Sequence, residues 1–488
     1  RVADQGGNAV DAALAAALVS TVTEPGVCSL GGSAFLTIWP AGEQPVFIDG
    51  HVEMPGRGLP AGRLGGGGIP VLMEYGGGVS TTVGPGSVAT PGLPAACELA
   101  WKRYGRLPWG EILGPAHEHA RDGFPLSQPS FDYLIYSHQL VFGWDPQSYA
   151  TLHDADGRLL EIGASVHIEG LADSLQAVAE GGARAFYRGE LAQRIVEGLA
   201  SGGGILTAAD LEAYDAATRT PLRSVVDGWE VATAPAPSLG GATVLALLAL
   251  LEEHPTGGWS AAEIARLTQV QKAVFRCRQE LAAETHDVGA EAERLLGAAG
   301  EKLRSALESP STVHTSAVDS DGLACAITVS AGYGSGALPG GTGIWMNNCL
   351  GEIELNPDGL HTLPPGTRLR SNMAPTIARR DDEVLVIGSP GASRITSAIA
   401  LVFLNHVRLG MPLAEAVDHP RLHVVTGDGE ILVEYEEGLA VERLGAPLRR
   451  FSRSMHFGGV AAVLRDAAGS FSMAADPRRS GSTAIGGG

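Results

Sequence analysis

Thr312 heads an alternating run, Thr312-Val313-His314-Thr315-Ser316-Ala317-Val318, directly after the linker Glu308-Ser309-Pro310-Ser311. A second run, Ala324-Cys325-Ala326-Ile327-Thr328-Val329-Ser330, follows closely, and the two read as a β-hairpin. Gly334-Ser335-Gly336 is expected to close that hairpin, with Ser330 at its edge. A threonine at the head of a buried strand has one route to chemistry. If the bond between Ser311 and Thr312 breaks, the residue carries both a nucleophilic hydroxyl and a free α-amine to take its proton. Threonine begins many strands, so the rest of the chain has to support this reading.

Three later segments have chemical rather than architectural texture. Trp345-Met346-Asn347-Asn348-Cys349-Leu350-Gly351-Glu352 brings two amides and a carboxylate to a strand end. Arg370-Ser371-Asn372-Met373 follows a proline-rich loop. Gly388-Ser389-Pro390-Gly391-Ala392-Ser393-Arg394 links a strand, Val384 to Ile387, to a helix running to about Gly410. Small residues at a helix start offer unpaired N–H groups that suit a developing oxyanion. The ordinary alternative is a strand-to-helix turn capped by Ser393. Asn347 and Asn348 are equally turn residues, and Glu352 is equally a solvated charge.

Composition narrows the function classes. With 488 residues, 44% hydrophobic and 18% charged, the chain can bury a large core. A net charge of −20 argues against nucleic acid or an anionic membrane as partner. The five cysteines form no C-x-x-C pair, which favours reduced thiols and a cytoplasmic setting; Cys325 reads as a strand-core thiol. No apolar run reaches membrane-spanning length. His117-Glu118-His119 turns its imidazoles to different helix faces, there is no Walker A motif, and no metal or organic cofactor is expected. The sequence opens at Arg1, in what reads as a helix interior, leaving an upstream segment or a removed signal peptide open.

The elements that must position these residues are legible in outline. Ala9 to Ser20 is an alanine-rich helix; Ser33 to Trp39 and Pro45 to Asp49 form a strand pair; Gly65 to Gly78 reads as a loop. Apolar stripes give helices over Cys97–Tyr104, Trp109–Asp122, Leu171–Glu180 and Leu191–Ala200, and Thr207 with Asp210 starts another. Trp229 to Ala234 is a strand, Ala242 to Glu253 a helix, and Ala261 to about Leu307 helical and charged. Helices first and strands later, with strands at both ends, predict a layered α/β sandwich.

Together these segments resemble the γ-glutamyltransferase family of N-terminal-nucleophile hydrolases. The resemblance runs from Gly6-Gly7-Asn8-Ala9-Val10-Asp11 through Val88-Ala89-Thr90-Pro91-Gly92, Tyr104-Gly105-Arg106-Leu107-Pro108-Trp109 and Pro235–Gly241 to Asp476-Pro477-Arg478. It implies a four-layer αββα sandwich and a precursor cut between Ser311 and Thr312, giving subunits 1–311 and 312–488 that stay together. It makes Thr312 the nucleophile, Ser330 its hydroxyl partner, and Gly391 and Ala392 the oxyanion pair. Ser371 and Asn372 fall on a serine pair that binds a carboxylate, Glu352 on an acidic position for an α-ammonium, and Asn347 joins them as a substrate contact. The implied partners are a small acyl substrate and the two subunits themselves, with a homo-oligomer of the heterodimer possible.

The recognition residues depart from that pattern. An arginine that clamps the glutamyl carboxylate should follow the early strand pair, yet Ile48-Asp49-Gly50-His51-Val52-Glu53 puts His51 or Val52 there. Arginine is a permanently charged bidentate fork, and neutral histidine is not. Arg57 could substitute if its loop folds back. Asn372 replaces a serine, Val313 a threonine, and the stretch from Glu352 to Ser371 has no tyrosine for a lid. The expectation is a self-processing threonine hydrolase or acyltransferase with altered acyl specificity. It would act on a small amide, or on a C–C bond beside a dicarbonyl group, as in 4-alkylproline biosynthesis. An ordinary glutathione hydrolase and an inactive scaffold are the alternatives.

Overall fold

The computed structural model describes residues 1–74, 78–251, 258–284, 287–298, 312–427, 430–442 and 444–486. Two antiparallel sheets lie face to face between layers of helix, which is the αββα sandwich. In order across the first sheet run Val313–Val318, Ala324–Ser330, Ser33–Trp39, Val46–Gly50 and Ala217–Arg219. The second runs Phe471–Ala475, Ala461–Arg465, Glu383–Gly388, Thr376–Arg380, Trp229–Thr233 and Leu222–Val226.

The strand Ala324–Ser330 explains how the layers stack. Successive side chains point to opposite faces. Cys325, Ile327 and Val329 enter the core shared with the helices, whereas Ala324 and Ala326 face the second sheet. Small alanines there let Ile377, Val384 and Val386 of the second sheet come close. Helices Ala9–Thr23 and Leu93–Tyr104 cover the first sheet, and Gly240–Leu250 and Arg394–Val407 cover the second. Ala9–Thr23 starts at a reciprocal cap: Asp11 N–H donates to Asn8 Oδ1, and Asn8 N–H donates to Asp11 Oδ2.

Four details differ from the sequence reading. Arg1 precedes a 3₁₀ turn, Ala3–Gln5, and does not sit inside a helix. The stretch Gly65 to Gly78, read as a loop, contains the strand Ile69–Met73, which pairs with Val79–Val83 just beyond it, because β-branched residues flank its glycines. The hairpin after Thr312 closes at Asp319–Gly322, where Gly322 takes φ 82° and its N–H donates to the Asp319 carbonyl. Gly334-Ser335-Gly336 lies beyond the hairpin, with Ser335 bonded to the Met346 carbonyl through both its N–H and its hydroxyl. Among the described residues the charged helical stretch comprises the helices Ala261–Glu284 and Val288–Ala298, and residues 299–307 lie outside them. Ser311 and the linker Glu308-Ser309-Pro310-Ser311 lie outside the described residues.

Candidate active site

A cleft of about 290 Å³ opens where the first sheet's strand Val313–Val318 begins. Thr312, Ser330, His51, Glu352, Ser371 and Asn372 all line it, so six of the sequence-predicted residues converge from segments far apart in the chain. Ser33, Cys349, Leu355, Met373 and Ile395 complete the wall. Strand register does much of the placing. Val313 pairs with Val329 and Ser330 with Ser33, so Thr312 sits at the strand end beside Ser330. Thr312 is only 2% exposed, a setting in which water is scarce. Ser330 Oγ accepts the Gly332 N–H at 3.1 Å.

Gly391 and Ala392 form a strained turn just before the helix Arg394–Val407, whose first turn sends Ile395 into the cleft. Gly391 has φ 121° and Ala392 φ 66°, the latter a left-handed conformation that costs a residue with a Cβ on the order of 1 kcal/mol. Among the described residues, neither of their N–H groups has a protein acceptor, while their carbonyls accept from Arg394 and Ile395. A Cβ on Gly391 would meet Gly458 Cα at 2.6 Å, so this backbone is locked against the segment behind it. Ser393 makes no capping bond; its hydroxyl meets His423 Nε2 at 3.2 Å.

His51 settles the choice left by the missing arginine. Its ring lines the cleft, whereas Val52 is buried in an apolar cluster with Met54 and Ala89. Burial lowers the His51 pKa to about 4, against a weaker opposing pull from Asp49. Its Nε2 lies 3.1 Å from the Arg370 carbonyl. Arg57 does not substitute: it pairs with Asp210 and Glu53 at 3.2 Å each and is no part of the cleft wall. Glu352 is buried, takes a hydrogen bond from the Cys349 thiol, and packs over Gly332.

Asn347 is spent on backbone. Its amide donates to the carbonyls of Gly31 and Ala89, and its Oδ1 accepts from the N–H groups of Ala89 and Cys349. All its capacity is used on backbone, and it does not line the cleft. Asn348 is similarly spent on Tyr333, Thr81 and Thr82. Cys325 is buried in the strand core, and burial pushes its thiol pKa well up. Among the described residues no group of His, Cys, Asp or Glu could hold a metal, and no helix is long and apolar enough to cross a membrane.

Sequence reasoning missed Arg278. It lies on the helix Ala261–Glu284, is 6% exposed, and donates from Nη2 to Asn372 Oδ1 at 2.6 Å. Burial lowers its pKa to about 10, opposed by nearby Glu291. Arg370 in turn pairs with the buried Glu291 at 3.2 Å. The only available signal was an arginine on a helix whose neighbours Val274, Phe275 and Leu281 are apolar.

A threonine leading a strand into such a cleft, within an αββα sandwich, defines the N-terminal-nucleophile hydrolase class of fold. The chain belongs to the γ-glutamyltranspeptidase family, whose model matches residues 1–486, and it is a hydrolase or acyltransferase of that family. It is 30% identical over 467 residues to the glutathione hydrolase proenzyme of Escherichia coli K12, covering 88% of this chain and 79% of that protein. It is 29% identical to the acylase ACY 1 proenzyme of Pseudomonas sp. strain V22, covering 89% of this chain and 81% of the relative. Among solved structures it is similar to cephalosporin acylase from Bacillus halodurans, with TM-score 0.81 and 25% identity over 99% of this chain and 92% of that one.

Proposed function

We propose that the chain cuts itself between Ser311 and Thr312, and that Thr312 then hydrolyses or transfers a non-glutamyl acyl group held in an amide. Residues 1–311 and 312–488 would stay together as large and small subunits. Thr312 Oγ attacks the amide carbon while the Thr312 α-amine takes the hydroxyl proton. The N–H groups of Gly391 and Ala392 face the oxyanion, and Ser330 holds Oγ in line. Collapse breaks the C–N bond; the leaving amine receives the proton from the α-amine and an ester remains on Thr312. Water or an acceptor amine then attacks the ester, the α-amine again carrying the proton, and Thr312 is restored. The same atoms would serve a ketone beside a second carbonyl, with carbon as the leaving group.

One observation carries the specificity: among the described residues, no arginine or lysine lines the cleft. Arg57 and Arg370 pair with carboxylates outside the wall, and Arg278 is bonded to Asn372 without lining the cleft itself. A glutamyl α-carboxylate would therefore lose a charged partner worth about 2–3 kcal/mol. The similarity to proteins named as acylases and proenzymes supports both halves of the reading. Five free, buried cysteines support a reducing, cytoplasmic setting.

The test is the intact mass of the wild-type protein beside Thr312→Ala, with turnover of a γ-glutamyl anilide on the same samples. Two fragments split before Thr312 in the wild type alone, with little aniline released, is the expected result. One uncut chain in both proteins overturns the self-cleaving nucleophile. Rapid aniline release would instead make the chain an ordinary glutamyl enzyme. Unchanged biological activity in Thr312→Ala would favour an inactive scaffold.

A further inference from the structure

Two atoms of the cleft wall have no hydrogen-bond partner: His51 Nδ1 and Asn372 Nδ2. Both residues are only 4% exposed, so neither atom is readily served by bulk water. An unpaired buried polar atom is costly, which makes such atoms pointers to a ligand.

What each atom presents is decided by the neighbour on its far side. A guanidinium can only donate, so Arg278 at 2.6 Å requires the oxygen of the Asn372 amide to face it. The Nδ2 hydrogens are thereby left for the cleft. A backbone carbonyl can only accept, so the Arg370 carbonyl at 3.1 Å requires the proton of His51 on Nε2. The lone pair of Nδ1 is left for the cleft. These two unpaired atoms thus offer one donor and one acceptor, and both identities are enforced by groups that cannot reverse them.

We infer that this pair reads an amide group of the substrate, whose C=O accepts from Asn372 Nδ2–H and whose N–H donates to His51 Nδ1. This deepens, and rests on, the non-glutamyl reading above. A carboxylate fits poorly because it can only accept and would face the Nδ1 lone pair. Burial keeps the ring neutral, so it does not become a second donor near neutral pH. Arg278 acts as a positioning residue: it fixes which end of the Asn372 amide is shown and polarises its N–H bonds.

The experiment uses the wild-type protein and two stable ligands that differ in one group, glutamate and isoglutamine, its α-carboxamide. Calorimetry at pH 7 should give isoglutamine at least about tenfold tighter binding. Arg278→Lys, which still only donates, should keep the preference. Arg278→Gln, whose side chain can donate or accept, should reduce it to within about threefold while the protein remains folded by its melting transition. Equal or tighter binding of glutamate by the wild type overturns the inference, and so does binding of neither ligand at about 10 mM. Fragment masses and anilide turnover on the same preparation report separately on self-cleavage and glutamyl chemistry. A failed binding ratio beside intact cleavage would strike this inference alone.

Discussion

The two sides of the cleft are built by different means. The proposed reaction side, Thr312 and Ser330 on the wall with the Gly391–Ala392 turn next to it in the chain before Ile395, is held by main chain pressed against main chain or ring. Gly391 abuts Gly458, and the His314 ring lies so close over Gly388 that a Cβ there would meet it at 2.2 Å. On the proposed recognition side the Asn372 backbone is pressed as closely, since a Cβ on Gly240 would meet its carbonyl at 2.0 Å, but side chains far apart in sequence, Arg278 to Asn372 and Arg370 to Glu291, decide which groups the wall shows. Backbone packing leaves no room for substitution, whereas side-chain reach can be exchanged residue by residue. The reaction should therefore be robust and the substrate group replaceable, which is the pattern the cleft presents.

The largest effect should come from Thr312→Ala. Turnover of the best substrate should fall by about 10⁴-fold or more, and the two fragments should disappear from the mass spectrum. Next is Gly391→Ala, which adds one carbon where Gly458 Cα lies at 2.6 Å and φ is 121°. Its kcat should fall about 100-fold, with KM changed less than about threefold, because only the transition state uses these N–H groups. Wild-type kinetics in Gly391→Ala would break the claim that the reaction side depends on its backbone.

That contrast also explains what could be read in the sequence. The two hairpin strands and the small-residue turn were legible because local period and short motifs specify them, although the turn that closes the hairpin, Asp319–Gly322, was not. The convergence of Ser371, Asn372 and Glu352 on one cleft followed from the family resemblance, since no local rule brings those segments together. Asn347 is ambiguous in the sequence because an asparagine beside a strand end looks the same whether its amide faces substrate or, as here, the backbone of Gly31 and Ala89. Arg278 was illegible for the opposite reason: its meaning depends on Asn372, 94 residues away. The strand pair after Gly65 was obscured by glycines that are turn residues at its ends.

If recognition is exchangeable, one substitution should move it without touching the reaction. His51→Arg puts a guanidinium on the wall where the imidazole now stands, and should raise kcat/KM on a γ-glutamyl anilide by about tenfold. Fragment masses should be unchanged. No gain would mean that the missing arginine is not what limits glutamyl substrates, and the contrast between the two sides would lose its functional half.

The smallest effect on activity, and the sharpest on stability, should come from His314 on the reaction side. Its Nδ1 and Nε2 meet Thr328 Oγ1 at 2.8 Å and Ser316 Oγ at 3.0 Å, and burial lowers its pKa from 6.5 to about 3. The folded protein stays unprotonated there while the unfolded chain takes up a proton below 6.5. The associated stability is thus fully present above pH 6.5 and is lost as pH falls towards 3. His314→Gln keeps a polar side chain but cannot titrate, so it should flatten the decline by about 1.4 kcal/mol per pH unit. Urea denaturation at pH 7, 6 and 5 reads this directly, with about 1–3 kcal/mol of pH-independent loss from altered packing. His51 and His423, also held neutral by burial, would contribute to the remaining slope, as would His138, His361 and His419, each lowered by burial. An unchanged slope would mean that His314 is protonated in the folded state, and that the sheets are less tightly closed behind Thr312 than Gly388 requires.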